Sequence, residues 1–241
     1  MIRIFVDPAA LVAGELVVSG DEHHYLSRVR RARAGELVEL VDGAGRRAAA
    51  TIAALGDAAT TLVAGPPEPV PAAPPFVRAL VPLIKGDRMD ACLEKLVEVG
   101  ADAIVVWPAA RSVPRLDDAR RDSRIARYRA LAHAAARQSG RAKVPEIATA
   151  SGLAAALAAL PEGARLVLDP ASDAALDAAL GPGGPGGAAD ITIVSGPEGG
   201  LTADERDQLA GFAPLGLGPR VLRAETAPMV AVALIRAATR S

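Results

Sequence analysis

The sequence predicts an α/β protein: an open, mostly parallel sheet with helices on both faces, preceded by a small β-barrel domain. Three observations carry this. From residue 76 onward, strand-like and helix-like stretches alternate, as they do when helices cross over between parallel strands. Before residue 65, five short strand-like runs are interrupted by one helix, the pattern of a barrel of about 70 residues. Between the two lies Gly65–Pro75, GPPEPVPAAPP, in which six of eleven residues are proline. It reads as a stiff, extended linker. The expected domains are therefore residues 1–70 and 71–241.

In the first domain the strands are expected at Ile2–Val6, Glu15–Ser19, Glu36–Val41, Ala48–Leu55 and Thr60–Val63, with a tight turn at Asp42-Gly43. The helix is expected over Asp21–Arg31, with Asp21 at its start and Gly35 just beyond its end. The second domain begins with a strand at Phe76–Ile84. In the helix Asp87–Val99, the apolar residues Met89, Cys92, Leu93, Leu96 and Val97 recur at helical spacing, and Gly100 follows. A strand at Ala103–Trp107, a long helix at Asp117–Gln138, a helix at Leu153–Leu160 and strands at Arg165–Asp169 and Ile191–Ser195 come next. A glycine loop, a helix from Thr202, a further strand in a Leu/Gly-rich segment and the helix Thr226–Thr239 complete the chain.

Composition narrows the function classes. With 51% hydrophobic and 23% charged residues among 241, the chain can bury a large core. Aromatics make up only 2%, so broad base-stacking platforms are not expected. Cys92 is the single cysteine, which excludes an internal disulfide and suits a reducing, cytoplasmic setting. The opening MIRIFVDPAA lacks the pattern of a signal peptide, and no apolar run approaches the roughly 18 residues of a membrane span. The net charge is −1 but unevenly spread: ten Lys/Arg face three Asp/Glu across Arg111–Pro145, and two face ten across Glu146–Phe212. A basic block of this kind is either a footprint for phosphate or a solvated helix face.

Two loops concentrate the chemistry, and ligands of open α/β sheets bind beyond the carboxyl ends of strands. Ser195–Leu201, SGPEGGL, joins a buried strand to a helix, and Thr202 with Glu205 forms a capping box at the helix start. Its three glycines allow backbone to approach a ligand closely. Leu217–Pro228, LGPRVLRAETAP, also leads from a strand to a helix, with Thr226 a candidate N-cap. It holds Arg220, Arg223 and Glu225 within six residues. Gly181, Gly183 and Gly186 spell G-x-G-x-x-G, but this run follows a helix and contains prolines, so no dinucleotide site is expected there. His23, His24 and His133 lack metal-ligand spacing, and no metal is expected. Cys92 and Trp107 read as core.

SGPEGGLTADE followed by LGPRVLRAETAP resembles the paired signature of the ribosomal RNA small subunit methyltransferase E family. Lys85-Gly86-Asp87-Arg88-Met89 with Glu94-Lys95, then Arg137-Gln138-Ser139-Gly140-Arg141 with Val144-Pro145-Glu146, and His24 to Arg31 in the first domain, are similar to further blocks of that family in the same order. Members often continue the last loop as E-T-T/A-A, where this chain has Glu225-Thr226-Ala227-Pro228.

The resemblance implies a SPOUT-type open parallel sheet with a deep trefoil knot, an exception to un-knotted topology, and a PUA-like N-terminal barrel. It implies methylation of N3 of a uridine in small-subunit (16S) ribosomal RNA, with S-adenosyl-L-methionine as cofactor. The cofactor would lie on Leu168, Gly196, Pro197, Glu198, Gly199, Gly200, Leu217, Gly218, Arg220 and Leu222, and Arg223 and Glu225 would be catalytic. RNA would be held by Arg28, Arg30, Arg31, Lys85, Arg88, Arg120, Arg124, Arg127, Arg137 and Arg141. A homodimer is expected, paired through the apolar helix that contains Met229–Ile235. Two other readings stay open at this level: a nucleotide-binding α/β enzyme of another class, and a non-catalytic RNA-binding protein.

Overall fold

The computed structural model describes residues 1–112, 121–181, 184–187 and 189–239. The chain falls into two units, Met1–Ala72 with Ala136–Val144, and Ala73–Ala135 with Pro145–Ser241.

The first unit is built on a mixed sheet of β1 (Ile2–Phe5), β2 (Gly14–Ser19), β3 (Leu37–Val41), β4 (Arg46–Leu55), β5 (Ala59–Ala64) and β6 (Glu68–Pro69). The order is β1-β3-β4-β5-β2, with β6 on β4. β1 and β3 are parallel and the other pairs antiparallel. Alternate residues, among them Val38, Leu40, Ala48, Ala50 and Ile52, turn into one core, the period-two signature of a sheet with one buried face. The helix is shorter than expected. α1 (Gly20–His24) passes into a π-helical turn over Tyr25–Val29. Gly20 at φ +60° swings the chain directly from β2 into the helix, so Ser19 rather than Asp21 is its N-cap. Arg31 at φ +50° stands just beyond its end. His23 is a buried structural residue, with Nδ1 2.9 Å from Thr60 Oγ1 and Nε2 3.2 Å from the Asp57 carbonyl.

The proline-rich stretch is only partly a linker. Gly65 N–H donates to the Ala49 carbonyl at 2.8 Å, Val70 N–H to Gly45 at 2.8 Å, and Glu68–Pro69 form β6. Proline is tolerated there because an edge strand leaves one side of the ladder free.

The second unit holds a six-stranded sheet in the order β12-β10-β11-β7-β8-β9. Its strands are β7 (Phe76–Pro82), β8 (Ala103–Trp107), β9 (Glu146–Thr149), β10 (Ala164–Leu168), β11 (Asp190–Val194) and β12 (Ala213–Leu215), and every pairing is parallel. The helices are α2 (Asp87–Val99), α3 (Arg121–Ser139), α4 (Leu153–Ala158), α5 (Leu176–Leu180), α6 (Gly184–Gly187), α7 (Ala203–Gln208) and α8 (Thr226–Ala238). The expected start of the long helix at Asp117 lies outside the described residues, as does Arg120. β9, with one buried residue, was not expected, and part of the glycine-proline run, read as a flexible connection, forms the single turn α6.

α2 buries the five apolar residues that its spacing predicts and ends in the left-handed Gly100 at φ +107°. Arg236 of α8 donates to the Gly100 carbonyl from Nε at 3.0 Å and Nη2 at 2.8 Å, and also pairs with Asp102. Asp102 in turn accepts from Val77 N–H at 2.9 Å. This arginine therefore fastens α8 to the end of α2 and the start of the sheet. Among the described residues no helix is long and apolar enough to cross a membrane, and no group of three or more His, Cys, Asp or Glu is placed to hold a metal ion.

Candidate active site at the carboxyl ends of the parallel strands

β12, β10 and β11 are neighbours in a parallel sheet, so the loops after them emerge side by side at one edge. The loop after β11 is the first glycine loop. Its turn closes with Gly200 N–H donating to the Pro197 carbonyl at 2.8 Å, and Gly200 takes φ +70°. The capping box forms as expected: Glu205 N–H donates to Thr202 Oγ1 at 3.2 Å, and Thr202 N–H to Glu205 Oε2 at 2.8 Å. The buried Glu205 also accepts from Ala110 N–H at 2.9 Å, which ties the loop after β8 to the start of α7. Next to it, Arg111 donates to the Gly199 carbonyl at 2.9 Å. A Cβ at Gly199 would stand 3.1 Å from that of Arg111, so glycine allows this close approach.

The loop after β12 is the second. Gly216 N–H donates to the Ala174 carbonyl at 3.0 Å, and a Cβ on Gly216 would fall 1.9 Å from the Ser172 carbonyl oxygen. The loops after β10 and β12 thus touch through backbone. Further on, Arg223 accepts at its carbonyl from Thr226 and Ala227 N–H at 2.9 Å each. Glu225, not Thr226, is the N-cap of α8, because this turn closes one residue earlier than the residue types suggest. Pro228 sits in the first turn, where its missing N–H costs no helical bond.

Charge joins the two loops. Arg88, in the first turn of α2, donates to Glu198 Oε1 at 2.6 Å and lies 3.8 Å from Glu225 Oε2. Arg223 Nη1 is 4.0 Å from Glu225 Oε1. The Arg223 side chain is 77% exposed and that of Glu225 only 15%, so the arginine reaches into solvent from a mostly buried carboxylate. Cys92 is buried beneath this cluster. Burial and the nearby Glu225 charge push its thiol up to about 12, so it is no nucleophile.

An RNA methyltransferase domain model matches residues 72–236, and an RNA methyltransferase PUA domain model matches residues 18–59. The ribosomal RNA small subunit methyltransferase E of Mycobacterium bovis is 35% identical over 239 residues, covering 96% of this chain and 89% of that protein. The chain belongs to the ribosomal RNA small subunit methyltransferase E family. The enzyme of that name from Neisseria gonorrhoeae, bound to S-adenosyl methionine, is 28% identical with a TM-score of 0.83, over 99% of this chain and 98% of that one. A methyltransferase from Legionella pneumophila with bound SAM is 26% identical with a TM-score of 0.81, over 98% of this chain and 97% of that one. The fold class expected from the sequence, a SPOUT-like parallel sheet with a PUA-like domain, is that of these family members.

Against this family frame, the expected cofactor residues fall on the three adjacent loops: Leu168 closes β10, Gly196, Pro197, Glu198, Gly199 and Gly200 follow β11, and Leu217, Gly218, Arg220 and Leu222 follow β12. The expected RNA-binding residues do not form one cluster. Arg28, Arg30 and Arg31 are exposed beside the π-helical turn in the first unit. Arg137 is engaged in that unit, pairing with Glu22 at 2.6 Å and lying over the Phe5 ring, and Arg141 belongs to the same unit. Lys85, Arg124 and Arg127 line a cavity in the second unit, while Arg88 is occupied by the loop carboxylates. Arg111 was missed by sequence reasoning. Its position just after β8, at the ligand-binding edge, was the available signal.

Proposed function

We propose that this protein methylates N3 of a uridine in small-subunit (16S) ribosomal RNA, with S-adenosyl-L-methionine as the methyl donor. The observation that carries the reading is the junction of two glycine-rich loops at neighbouring strand ends, held by Arg88 between Glu198 and Glu225. The site suits the cofactor. The space that a Cβ would fill is open at Gly200 and at Gly218, so their backbone is presented to a ligand. Leu168, Leu201 and Leu215 supply a buried apolar floor for an adenine, and the loop carboxylates suit a cationic sulfonium. Bound there, the cofactor supplies an electrophilic methyl group.

The remaining chemistry falls to the chain. Uracil N3 lies on the Watson–Crick edge, so the base is presented unpaired or flipped out. Arg223 orients the uracil and stabilises the charge that grows on its carbonyls as N3 loses its proton. Glu225 holds Arg223 in place; accepting the N3 proton is the second role open to it. Residues 1–70 and the basic residues of 71–241 hold the RNA through phosphate. The reading brings with it the trefoil knot and a homodimer paired through α8, whose Leu234 is 43% exposed. The deciding experiment is mass spectrometry of ribosomal RNA nucleosides from cells lacking the protein. Loss of N3-methyluridine from small-subunit RNA, restored by the purified protein with S-adenosyl-L-methionine, is expected. An unchanged nucleoside profile overturns the proposal.

A further inference from the structure

On the other side of the first turn of α2 from Arg88 lies a cavity of about 590 Å³ between the β7–α2 loop and α3. That volume suits a ligand of nucleotide size. Its floor is apolar: Leu83, Ile84 and Met89 are almost fully buried, and Tyr128 is 5% exposed. Its rim is cationic, with three basic residues against Asp87 and Asp90. The cations are not equally available. Arg127 is paired with Asp90, whereas Lys85 is exposed and forms no ion pair among the described residues. Arg124 Nη1 is buried and has no hydrogen-bond partner among the described residues. A buried guanidinium N–H left unpaired is costly, and an anion that engages the group offsets that cost.

A second, independent feature points to the same ligand chemistry. α2 is capped by Gly86 at φ +61°, with no side chain satisfying its first amides. Nothing lies within 4 Å of where a Cβ on Gly86 would be, so this helix end opens into free space beside the cavity. An uncapped helix N-terminus favours a phosphate.

We propose that this cavity binds one nucleotide of the RNA substrate adjacent to the modified one, its phosphate between Lys85, Arg124 and the start of α2, and its base against Met89 and Tyr128. The inference rests on the proposed RNA substrate and deepens it. Because α2 carries Arg88 on one side and the cavity on the other, a nucleotide bound here anchors the strand beside the cofactor loops.

The test uses the full-length protein and a fluorescent single-stranded oligonucleotide of small-subunit RNA sequence, titrated by anisotropy across a range of salt. Arg124→Ala is expected to weaken binding about tenfold and to flatten the slope of log affinity against log salt by roughly 0.7, the loss of one phosphate contact. Arg124→Lys restores most of the affinity, and Lys85→Ala, at the exposed mouth, weakens binding about threefold. Calorimetry with S-adenosyl-L-methionine on the same preparations, unchanged by these substitutions, separates a lost subsite from a lost fold. Unaltered RNA affinity and salt slope in both Arg124→Ala and Lys85→Ala overturn the proposal while leaving the methyltransferase reading intact. Binding of free uridine monophosphate that depends on Arg124, with RNA binding that does not, also overturns it. Failure of the unsubstituted protein to bind RNA overturns both.

Discussion

Arg88 donates a hydrogen bond to Glu198 at 2.6 Å across 110 residues of sequence. The pair ties the first turn of α2 to the loop after β11, and the same guanidinium reaches toward Glu225 before α8. Both members of the pair are about half exposed, so its direct contribution to stability is small, on the order of 1 kcal/mol or less. Its consequence is geometric: two loops that enclose one ligand are held in a single arrangement before the ligand arrives. Arg88→Ala is therefore expected to change unfolding free energy by less than about 1 kcal/mol and to weaken S-adenosyl-L-methionine binding roughly tenfold. Arg88→Lys recovers only part of this, since one ammonium cannot replace a forked guanidinium. Denaturant titration and calorimetry on the same variants read the two effects. Unchanged cofactor affinity in Arg88→Ala would show that the loops hold their arrangement without it.

Gly216 offers a sharper steric test. A Cβ there would lie 1.9 Å from the Ser172 carbonyl oxygen, a contact no side-chain movement can relieve. Gly216→Ala must separate the loops after β10 and β12, at an expected cost of about 1–3 kcal/mol in stability and with loss of cofactor binding. Gly211→Ala, where nothing stands within 4 Å of the new methyl, serves as the control and is expected to be near neutral. Equal midpoints for the two variants in urea would contradict the close approach.

The legible parts of the fold are those written in local periodicity. The five buried residues of α2, its terminal Gly100 and the Thr202–Glu205 capping box depend on neighbours within a few positions, and the structure has them as the spacing predicts. Strand β9 was invisible because a four-residue edge strand with one buried side chain, Ile147, has no alternation to detect. β6 was hidden inside a proline run that looks like a linker until its partner, Arg46–Arg47, is known. The site divides the same way. Both glycine loops were recognisable from residue types, but the roles of Arg88, Arg111 and Arg236 were not. Their partners lie 110, 88 and 136 residues away, and a lone arginine in sequence does not disclose whether it faces phosphate or a carboxylate of its own chain.

Asp42 predicts a pH dependence for the first unit. Burial alone would raise its carboxyl. The N–H groups of Arg46 and Ala44, at 2.9 and 2.8 Å, together with the Arg46 guanidinium at 2.6 Å, outweigh burial and hold it below its ordinary value of 3.8. A carboxyl depressed in the folded state stabilises above its unfolded value, and that contribution is lost as pH falls through the folded one. Stability should therefore decline as pH drops below 3.8. Asp42→Asn is expected to cost about 1–2 kcal/mol at neutral pH, with the difference from the unsubstituted protein shrinking below that value. Urea unfolding at several pH values measures it, and a difference that stays constant down to strongly acidic pH would contradict the assignment.

The last prediction concerns the reacting base. Arg223 projects into solvent, 77% exposed, from a position 4.0 Å from Glu225, whose Oε2 is buried and accepts no hydrogen bond among the described residues. An exposed cation anchored near a sheltered carboxylate is available to a base that arrives from outside, and closure of RNA over it would remove the water that now screens it. A contact of that kind contributes on the order of 3 kcal/mol to a transition state in which negative charge grows on the uracil carbonyls. Arg223→Ala should then slow single-turnover methylation about a hundredfold while changing cofactor affinity far less. Glu225→Gln keeps the size of the side chain and removes its charge. A milder loss there, with an unaltered pH–rate profile, assigns Glu225 to holding Arg223; a loss as deep as that of Arg223→Ala, with the basic limb of the profile abolished, assigns it to proton removal. Methylation by Arg223→Ala at the normal rate under saturating RNA and cofactor would remove Arg223 from the chemistry.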